Sequence, residues 1–381
     1  MAGLYLHIPF CEHKCVYCDF YSIAPSEEKM DERALQATFT ESLVGEIRQR
    51  ATNGPSVGSF SSIFLGGGTP SLLQPDQAQL ILDTLRENYT ITEDAEITLE
   101  ANPGTVTKER LESFHRMGFN RISFGVQSFQ DHELQFLTRI HSADQAERSI
   151  RDAREAGFTN VSLDLMFGLP DQTVESWMGS LERGLSLEPE HISCYSLTVE
   201  PNTPLARLVR SGSVTMLDRN IDASLYECTI QILGERGYEQ YEVSNFCRPG
   251  MSSRHNLNYW THDPYLGFGP SAHSYVDGVR WWNIANLSTY TDLVRKGTLP
   301  VEGKESLTRD QRRTEQVFLG LRGPGLDLDR YEKLFGSSFL EEQRERIDAL
   351  IGEGRAAVNG SVLALTGRGY MICDEICATL T

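Results

Sequence analysis

The feature that most constrains the fold is a regular alternation of short β-rich runs with longer stretches of helical period. The β-rich runs are LYLHIPF (4–10), SSIFLGG (61–67), EITLEAN (96–102), RISFGVQ (121–127), NVSLDLMFG (160–168) and HISCYSLTV (191–199). Helical stretches begin near Asp31 and after Gln74, run from Thr107 to Met117, and span 142–156, 173–186 and 218–236. Alternating β and α units predict an α/β fold with a parallel sheet. We expect a partial (βα)6 barrel over residues 1–245, with a doubly wound sheet as the alternative.

The pattern changes after residue 245. Residues 246–305 are rich in Gly, Pro, His and aromatic residues and show few clear helices. Residues 306–381 contain three helical stretches, RDQRRTEQVFLGLR, DLDRYEKLFG and FLEEQRERIDALIGEG, and then a predicted short β-hairpin and a terminal helix. This order predicts a mostly helical, winged-helix-like C-terminal domain.

Charge and hydropathy narrow the classes of partner. The 381 residues include 35 Lys and Arg against 53 Asp and Glu, a net charge of −18, so nucleic acid is not an expected partner. No run approaches the roughly 18 apolar residues of a membrane-spanning helix. The first ten residues, MAGLYLHIPF, lack the basic region and cleavage site of a signal peptide. We therefore expect a cytoplasmic protein with reduced cysteines.

Three of the eight cysteines, Cys11, Cys15 and Cys18, form one C-x3-C-x2-C loop after the first predicted strand. Soft thiolates suit an iron–sulfur cluster, and three ligands on a four-iron cluster would leave one iron open. Structural zinc is the alternative, with His7 or His13 as a fourth ligand, although no second ligand pair follows. We interpret the other cysteines as core or incidental residues, including Cys373 and Cys377, which lie one helical turn apart.

Polar and glycine residues also gather at the ends of the other predicted strands. They are Gly66 to Thr69, Glu100 with Asn102, and Gln127 with Ser128, and the fifth strand carries Asp164. Chemistry in a parallel barrel lies at the carboxyl ends of its strands, so we expect these groups to meet the cysteine loop at one rim.

The cysteine loop and its flanks resemble a known superfamily. C-x3-C-x2-C with an aromatic residue before the last cysteine is similar to the radical S-adenosylmethionine (radical SAM) signature. The blocks LYLHIPFCEHKCVYCDFYS, FLGGGTPSLL, LEANPGTV, RISFGVQSF and SLDLMFGLP resemble the branch that holds the oxygen-independent coproporphyrinogen III oxidases and the HemW haem chaperones. The resemblance covers essentially the whole chain and implies a TIM-like radical SAM barrel.

The resemblance also implies cofactors and ligands. Cys11, Cys15 and Cys18 match the ligands of a [4Fe–4S] cluster, whose remaining iron binds the methionyl group of SAM. The Tyr5 position lies against SAM in the family, and the His7 position lies near the cluster. The other positions that match SAM contacts are Gly66, Gly67, Gly68, Thr69, Glu100, Gln127, Arg139 and Asp164.

Two features separate the branches of this family. The oxidases carry a further cysteine where this chain has Phe20, and their cysteine loop lies farther from the N-terminus. SRHNLNYW (253–260) is similar to the HNxxYW motif of the HemW proteins, which implies haem contact by His255, Asn256, Tyr259 and Trp260. His273, in a later matching loop, is a weaker candidate.

The resemblance thus predicts a haem chaperone that binds [4Fe–4S], SAM and haem and delivers haem to acceptor proteins. If these acceptors include respiratory membrane complexes, the chaperone would work at the inner face of the membrane. An oxygen-independent coproporphyrinogen III oxidase of porphyrin biosynthesis is the enzymatic alternative, and a zinc-dependent binding protein is a third. The haem acceptor, the iron ligand and the choice between monomer and dimer stay open.

Overall fold

A computed structural model describes residues 2–25 and 30–381 of the chain. The predicted strands form a parallel sheet in the order β1-β2-β3-β4-β5-β6. Their bounds are β1 Ala2–Ile8, β2 Phe60–Gly67, β3 Ile91–Ala101, β4 Arg121–Gln127, β5 Val161–Phe167 and β6 His191–Ser196. The predicted α/β fold with a partial (βα)6 barrel is confirmed.

Helices cross between these strands and cover the outside of the sheet. They are α1 Glu32–Asn53, α2 Pro75–Asn88, α3 Lys108–Met117, α4 Asp131–Phe136, α5 Ala143–Glu155, α6 Val174–Leu185, α7 Pro204–Arg210 and α8 Arg219–Glu235. Polar residues cap several of them, and Ser142 with Gln145 forms a capping box on α5. Gly118 ends α3 in a left-handed conformation with φ 104°, which glycine adopts without strain. The short helices α4 and α7 lay outside the predicted set.

Further strands extend both edges of this sheet. The elements that follow α8 are β7 Glu239–Gln240, β8 Asn245–Cys247, α9 Arg254–Trp260, β9 Tyr265–Phe268, β10 His273–Val276, β11 Val279–Asn283, α10 Leu287–Arg295 and β12 Val301–Ser306. β9 pairs in parallel with β1, and β8 pairs antiparallel with β6, so the two edges carry different strands and the barrel stays open. Residues 265–306 thus contribute to the same sheet as the barrel.

The C-terminal region has its own apolar core and a small antiparallel sheet. Its elements are α11 Arg309–Arg322, β13 Leu326–Asp327, α12 Leu328–Phe335, α13 Phe339–Glu342, α14 Arg344–Gly352, β14 Ala356–Asn359, β15 Val362–Leu365, α15 Gly367–Tyr370 and α16 Cys373–Leu380. The helix predicted over 339–354 is divided, because the backbone of Gln343 leaves the helical conformation at φ −116° and ψ 18°. The hairpin and the terminal helix follow as predicted.

Candidate functional site

Alternation along the strands sends one set of side chains into the barrel. On β4 this set is Arg121, Ser123, Gly125 and Gln127, and neighbouring strands place Glu100 beside Ser123 and Asp164 beside Ser193. Of these groups, Glu100, Ser123, Gly125, Gln127 and Asp164 line a cavity of about 410 Å³ together with the cysteine loop. The structure therefore brings most of the predicted rim residues together, whereas Gly66 and Ser128 do not line this cavity and the Ser128 hydroxyl instead donates to Glu133.

The cysteine loop is held in place by backbone and side-chain hydrogen bonds. The amide of Cys11 donates to the carbonyl of Ile23 at 2.9 Å, and the amide of Val16 donates to Oγ1 of Thr138 at 3.0 Å. All three cysteines are half-buried free thiols that line the cavity. Burial, with the neighbouring thiols adding, raises the pKa of Cys18 to about 11. Burial thus disfavours the thiolate form of Cys18 unless a cation compensates its charge.

The glycine segment runs directly beside this loop. The amide of Gly68 donates to the carbonyl of Ile8 at 2.8 Å, and the amide of Thr69 donates to the carbonyl of Phe10 at 2.7 Å. A Cβ at Gly68 would lie 2.6 Å from the oxygen of Phe10, so only glycine permits this approach. The Thr69 hydroxyl also reaches Sγ of Cys11 at 3.7 Å.

Polar side chains of β3 to β5 line the opposite side of the cavity. Oε2 of Glu100 accepts from the amide of Gly67 at 3.2 Å, and Asp164 accepts from the hydroxyls of Ser123 and Ser193. Burial, together with the charge of Asp164, raises the pKa of Glu100 to about 8. Gln127 lines the same cavity with φ 68°, a left-handed conformation that is unusual for a residue other than glycine.

Arg139 connects this wall to the cysteine loop. Its Nη1 lies 3.3 Å from Sγ of Cys15, and its Nη2 donates to the carbonyl of Gly125 at 2.6 Å and to Oδ1 of Asn102. The guanidinium is therefore the fixed positive charge beside the three thiols. Asn102 in turn donates to Oγ1 of Thr69 at 3.1 Å, so it joins the wall to the glycine segment.

His7 does not line this cavity, although the sequence places it near the cluster loop. Its Nε2 is 2.7 Å from the carbonyl oxygen of Tyr21, and its Nδ1 is 3.1 Å from the hydroxyl of Tyr5. Burial lowers the pKa of His7 to about 4, so the ring is neutral. His7 thus holds the backbone at Tyr21, just after the cysteine loop, and stays outside the cavity, whereas His13 is among the lining residues.

A second cavity of about 300 Å³ adjoins the first. Both cavities are lined by Phe20, Gly67, Glu100, Ser123, Asp164 and Tyr195. The second is also lined by Tyr5, Phe64, Arg121, Ser193, His255, Asn256 and Tyr259. The HNxxYW motif, on α9, therefore lies directly beside the cavity of the three cysteines.

His255 is held in place on every side. Its Nδ1 is 3.0 Å from Oγ of Ser62, and its Nε2 is 3.0 Å from the hydroxyl of Tyr259. The ring stacks on Phe64 at a centroid distance of 5.0 Å, and its exposed fraction is 2%. Burial, with the nearby charge of Arg121, lowers the pKa of His255 to about 3, so the imidazole is neutral, with one ring nitrogen that donates and one that can accept.

Trp260 lies apart from the other motif residues. Its side chain packs against Gly323, which follows α11. A Cβ added to Gly323 would lie 2.4 Å from the Cβ of Trp260. His273 is exposed and stacks on Trp282 at a centroid distance of 5.8 Å. The structure thus gathers His255, Asn256 and Tyr259 at one cavity and places Trp260 at the junction with the C-terminal domain.

The sequence predictions omitted several cavity residues, namely Tyr17, Phe20, Arg121, Ser123, Ser193 and Tyr195. Ser123, Ser193 and Tyr195 among them follow from the alternation that places Glu100 and Asp164, so counting by twos along β4 and β6 would have found them. Among residues 2–25 and 30–381, no three His, Cys, Asp or Glu side chains form a preorganised ligand set for one metal ion. The helices of this part of the chain include none with the length and hydrophobicity of a membrane span.

The partial barrel and its cysteine loop define the class of protein. Residues 5–183 match the model of the radical SAM superfamily, and residues 307–372 match the HemN C-terminal domain. The fold is also similar to coproporphyrinogen III oxidase (HemN) from Escherichia coli, with a TM-score of 0.82 and 25% identity over 100% of this chain and 89% of that one.

Two curated relatives identify the family within the radical SAM superfamily. The chain is 37% identical to the heme chaperone HemW of Mycobacterium tuberculosis, covering 99% of this chain and 94% of that protein. It is 36% identical to the heme chaperone HemW of Bacillus subtilis, covering 99% and 98%. The chain therefore belongs to the HemW family of the radical SAM superfamily.

This membership implies a [4Fe–4S] cluster and SAM, and the residues present fit both groups. Three thiols from one loop supply soft donors, and Arg139 supplies a compensating positive charge. The backbone of the glycine segment and the buried carboxyl groups of Glu100 and Asp164 offer acceptors and donors for a polar, zwitterionic ligand.

Proposed function

We propose that this protein is a haem chaperone that binds a [4Fe–4S] cluster, SAM and haem and transfers haem to acceptor proteins. The observation that carries the proposal is the placement of α9, whose His255, Asn256 and Tyr259 line a cavity adjoining that of the three cysteines. The similarity to proteins described as heme chaperones over nearly the whole chain supports the same conclusion.

In this proposal Cys11, Cys15 and Cys18 hold the cluster. Tyr5, Gly66, Gly67, Gly68, Thr69, Glu100, Gln127, Arg139 and Asp164 bind SAM, and His7 supports the loop from behind. When bound, the cluster supplies one electron to the SAM sulfonium. Arg139 matches a carboxylate, because its guanidinium donates in a fixed fork, and Glu100 and Asp164 match ammonium and hydroxyl donors.

Haem contacts the α9 face of the second cavity. Aromatic rings at Tyr259 and Phe64 provide apolar area for a porphyrin, and the neutral His255 has a nitrogen lone pair suited to iron once the Tyr259 hydroxyl gives way. Trp260 packs beside Gly323 and so connects α9 to the C-terminal domain. We propose that this domain serves the protein partner, since a net charge of −18 disfavours nucleic acid.

We further propose that the protein works in the cytoplasm and meets acceptors at the inner face of the membrane, where respiratory complexes are candidate recipients. This part of the proposal predicts association with acceptor proteins. It is tested by cofractionation of the protein with membranes that contain or lack those complexes.

One anaerobic experiment tests the main proposal against the enzymatic alternative. The protein is reconstituted with iron and sulfide, and haem binding and coproporphyrinogen III turnover are measured side by side in the presence of SAM. The chaperone account predicts stoichiometric haem binding without protoporphyrinogen formation. Turnover would instead support the oxidase alternative, which the similarity to HemN favours. A colourless protein with one zinc would contradict both.

The role of His255 is tested separately. His255→Ala should weaken haem binding while leaving cluster absorbance unchanged. The matched control is His132→Ala, which removes an exposed histidine from α4 that lines neither cavity. Equal haem affinity of both variants would remove His255 from the haem site.

A further inference from the structure

Arg121 is a buried cation at the second cavity, and it is not among the residues proposed to bind the cluster or SAM. It is the first residue of β4, its side chain faces the barrel interior, and its exposed fraction is 2%. It lines the second cavity together with His255 and Tyr259, but it is not among the residues that line the cavity of the cysteines.

The guanidinium lacks the partners that a buried arginine ordinarily has. Nε of Arg121 has no hydrogen-bond partner, and in the described part of the chain its guanidinium forms no ion pair. A buried charge without close partners is costly, and a buried unsatisfied donor usually marks a site for a further group. The arrangement therefore leaves donor capacity unused at this cavity.

Nearby carboxyl groups do not fill that capacity. Glu100 directs Oε2 to the amide of Gly67, and Asp164 accepts from Ser123 and Ser193. Arg121 acts on both carboxyl groups through its charge, yet neither comes within ion-pair distance of its guanidinium. The free donors point to an anionic group supplied from outside the chain.

We infer that Arg121 binds a carboxylate of the haem ligand, namely one propionate, in the second cavity. A guanidinium matches a carboxylate through two parallel hydrogen bonds, which fixes orientation as well as position. The inference rests on the proposed haem-binding function and names the group by which the porphyrin is oriented. The SAM carboxylate is the other source of the same chemistry, but Arg121 lines the α9 cavity rather than the cysteine cavity.

The test compares haem with haem dimethyl ester, in which both propionates are masked, on the full-length reconstituted protein. Wild type should bind haem at least tenfold more tightly than the ester, a difference of about 1.4 kcal/mol. Arg121→Met, which keeps length and removes charge, should bind both with the same weak affinity, while Arg121→Lys should recover part of the preference. Arg236→Met, at an exposed arginine, should behave as wild type.

Cluster absorbance, thermal unfolding and SAM affinity are measured on each variant. An unchanged preference for haem over the ester in Arg121→Met would overturn the inference, as would a wild type that binds both equally. If Arg121→Met loses SAM affinity but still prefers haem to the ester, Arg121 binds the SAM carboxylate, and this outcome would also overturn the inference. A wild type that binds neither porphyrin contradicts the proposed function itself, and the inference falls with it.

Discussion

Gly67→Ala is the substitution whose effect follows most directly from the geometry of the site. Gly67 ends β2 with φ 104°, a conformation that costs a residue with a Cβ about 1–3 kcal/mol. A Cβ at this position would lie 2.6 Å from both Cε1 and Nδ1 of His7. His7 cannot retreat easily, because hydrogen bonds to Tyr21 and Tyr5 fix both of its ring nitrogens.

The clash adds an overpacking cost of about 1–3 kcal/mol to the backbone strain. We therefore expect Gly67→Ala to lower the free energy of unfolding by roughly 2–6 kcal/mol. SAM affinity should fall at least tenfold, about 1.4 kcal/mol, since the Gly67 amide orients Glu100 in the cavity.

Urea unfolding followed by circular dichroism measures the first effect, and anaerobic calorimetric titration with SAM measures the second. The matched control is Gly234→Ala in α8, where a Cβ meets nothing within 4 Å and φ is not positive. Alanine there should stabilise the helix by about 0.5–1 kcal/mol and leave SAM binding unchanged. Wild-type stability and SAM affinity in Gly67→Ala would refute the reasoning about this segment.

Three further predictions concern the core and the cavity mouth. Glu46→Ala should cost about 3–5 kcal/mol in urea unfolding, because it strands the buried guanidinium of Arg50, whereas Glu41→Ala on the exposed face of α1 should cost less than about 1 kcal/mol. Burial raises the pKa of Glu242 to about 7, so the protonated carboxyl stabilises the folded state at low pH, and this stability is lost as the pH rises from about 4.5 to 7. Glu242→Gln should therefore flatten the pH profile of the melting temperature. An unchanged profile would contradict the raised pKa of Glu242. Phe20, 67% exposed and lining both cavities, should contribute to haem binding but not to stability, so Phe20→Ala should weaken haem affinity severalfold without changing the melting temperature.

The barrel could be predicted from the sequence because its signals are local. Six apolar runs with helical stretches between them fix the order of a parallel sheet, and the carboxyl ends of such strands lie at one rim. Most of the polar and glycine residues at or near the ends of these runs, from Cys11 to Asp164, could therefore be assigned to one cavity from the sequence alone.

The HNxxYW segment was harder to place. Its helix, α9, is seven residues long, too short to show a clear period, although Ser253 is the kind of residue that begins a helix and its hydroxyl accepts from the amide of Asn256. In a helix His255 and Tyr259 share one face, while Trp260 points about 100° away. This explains why Trp260 lies against Gly323 and not in the cavity.

Arg121 escaped prediction for a different reason. An arginine at the start of a strand ordinarily signals a solvent-exposed end, whereas the structure buries this one beside the second cavity. The break at Gln343 likewise has no signal in the sequence, since the segment 339–354 has a continuous helical composition.

The central claim is that haem and the cluster occupy adjoining cavities of one site. Pulsed electron paramagnetic resonance of the reduced cluster, with and without one equivalent of high-spin ferrous haem under the same reductant, measures this directly. The account predicts that bound haem accelerates the spin relaxation of the cluster in wild type, and that His255→Ala loses this effect along with haem binding. Stoichiometric haem binding that leaves cluster relaxation unchanged would place the haem elsewhere and contradict the account.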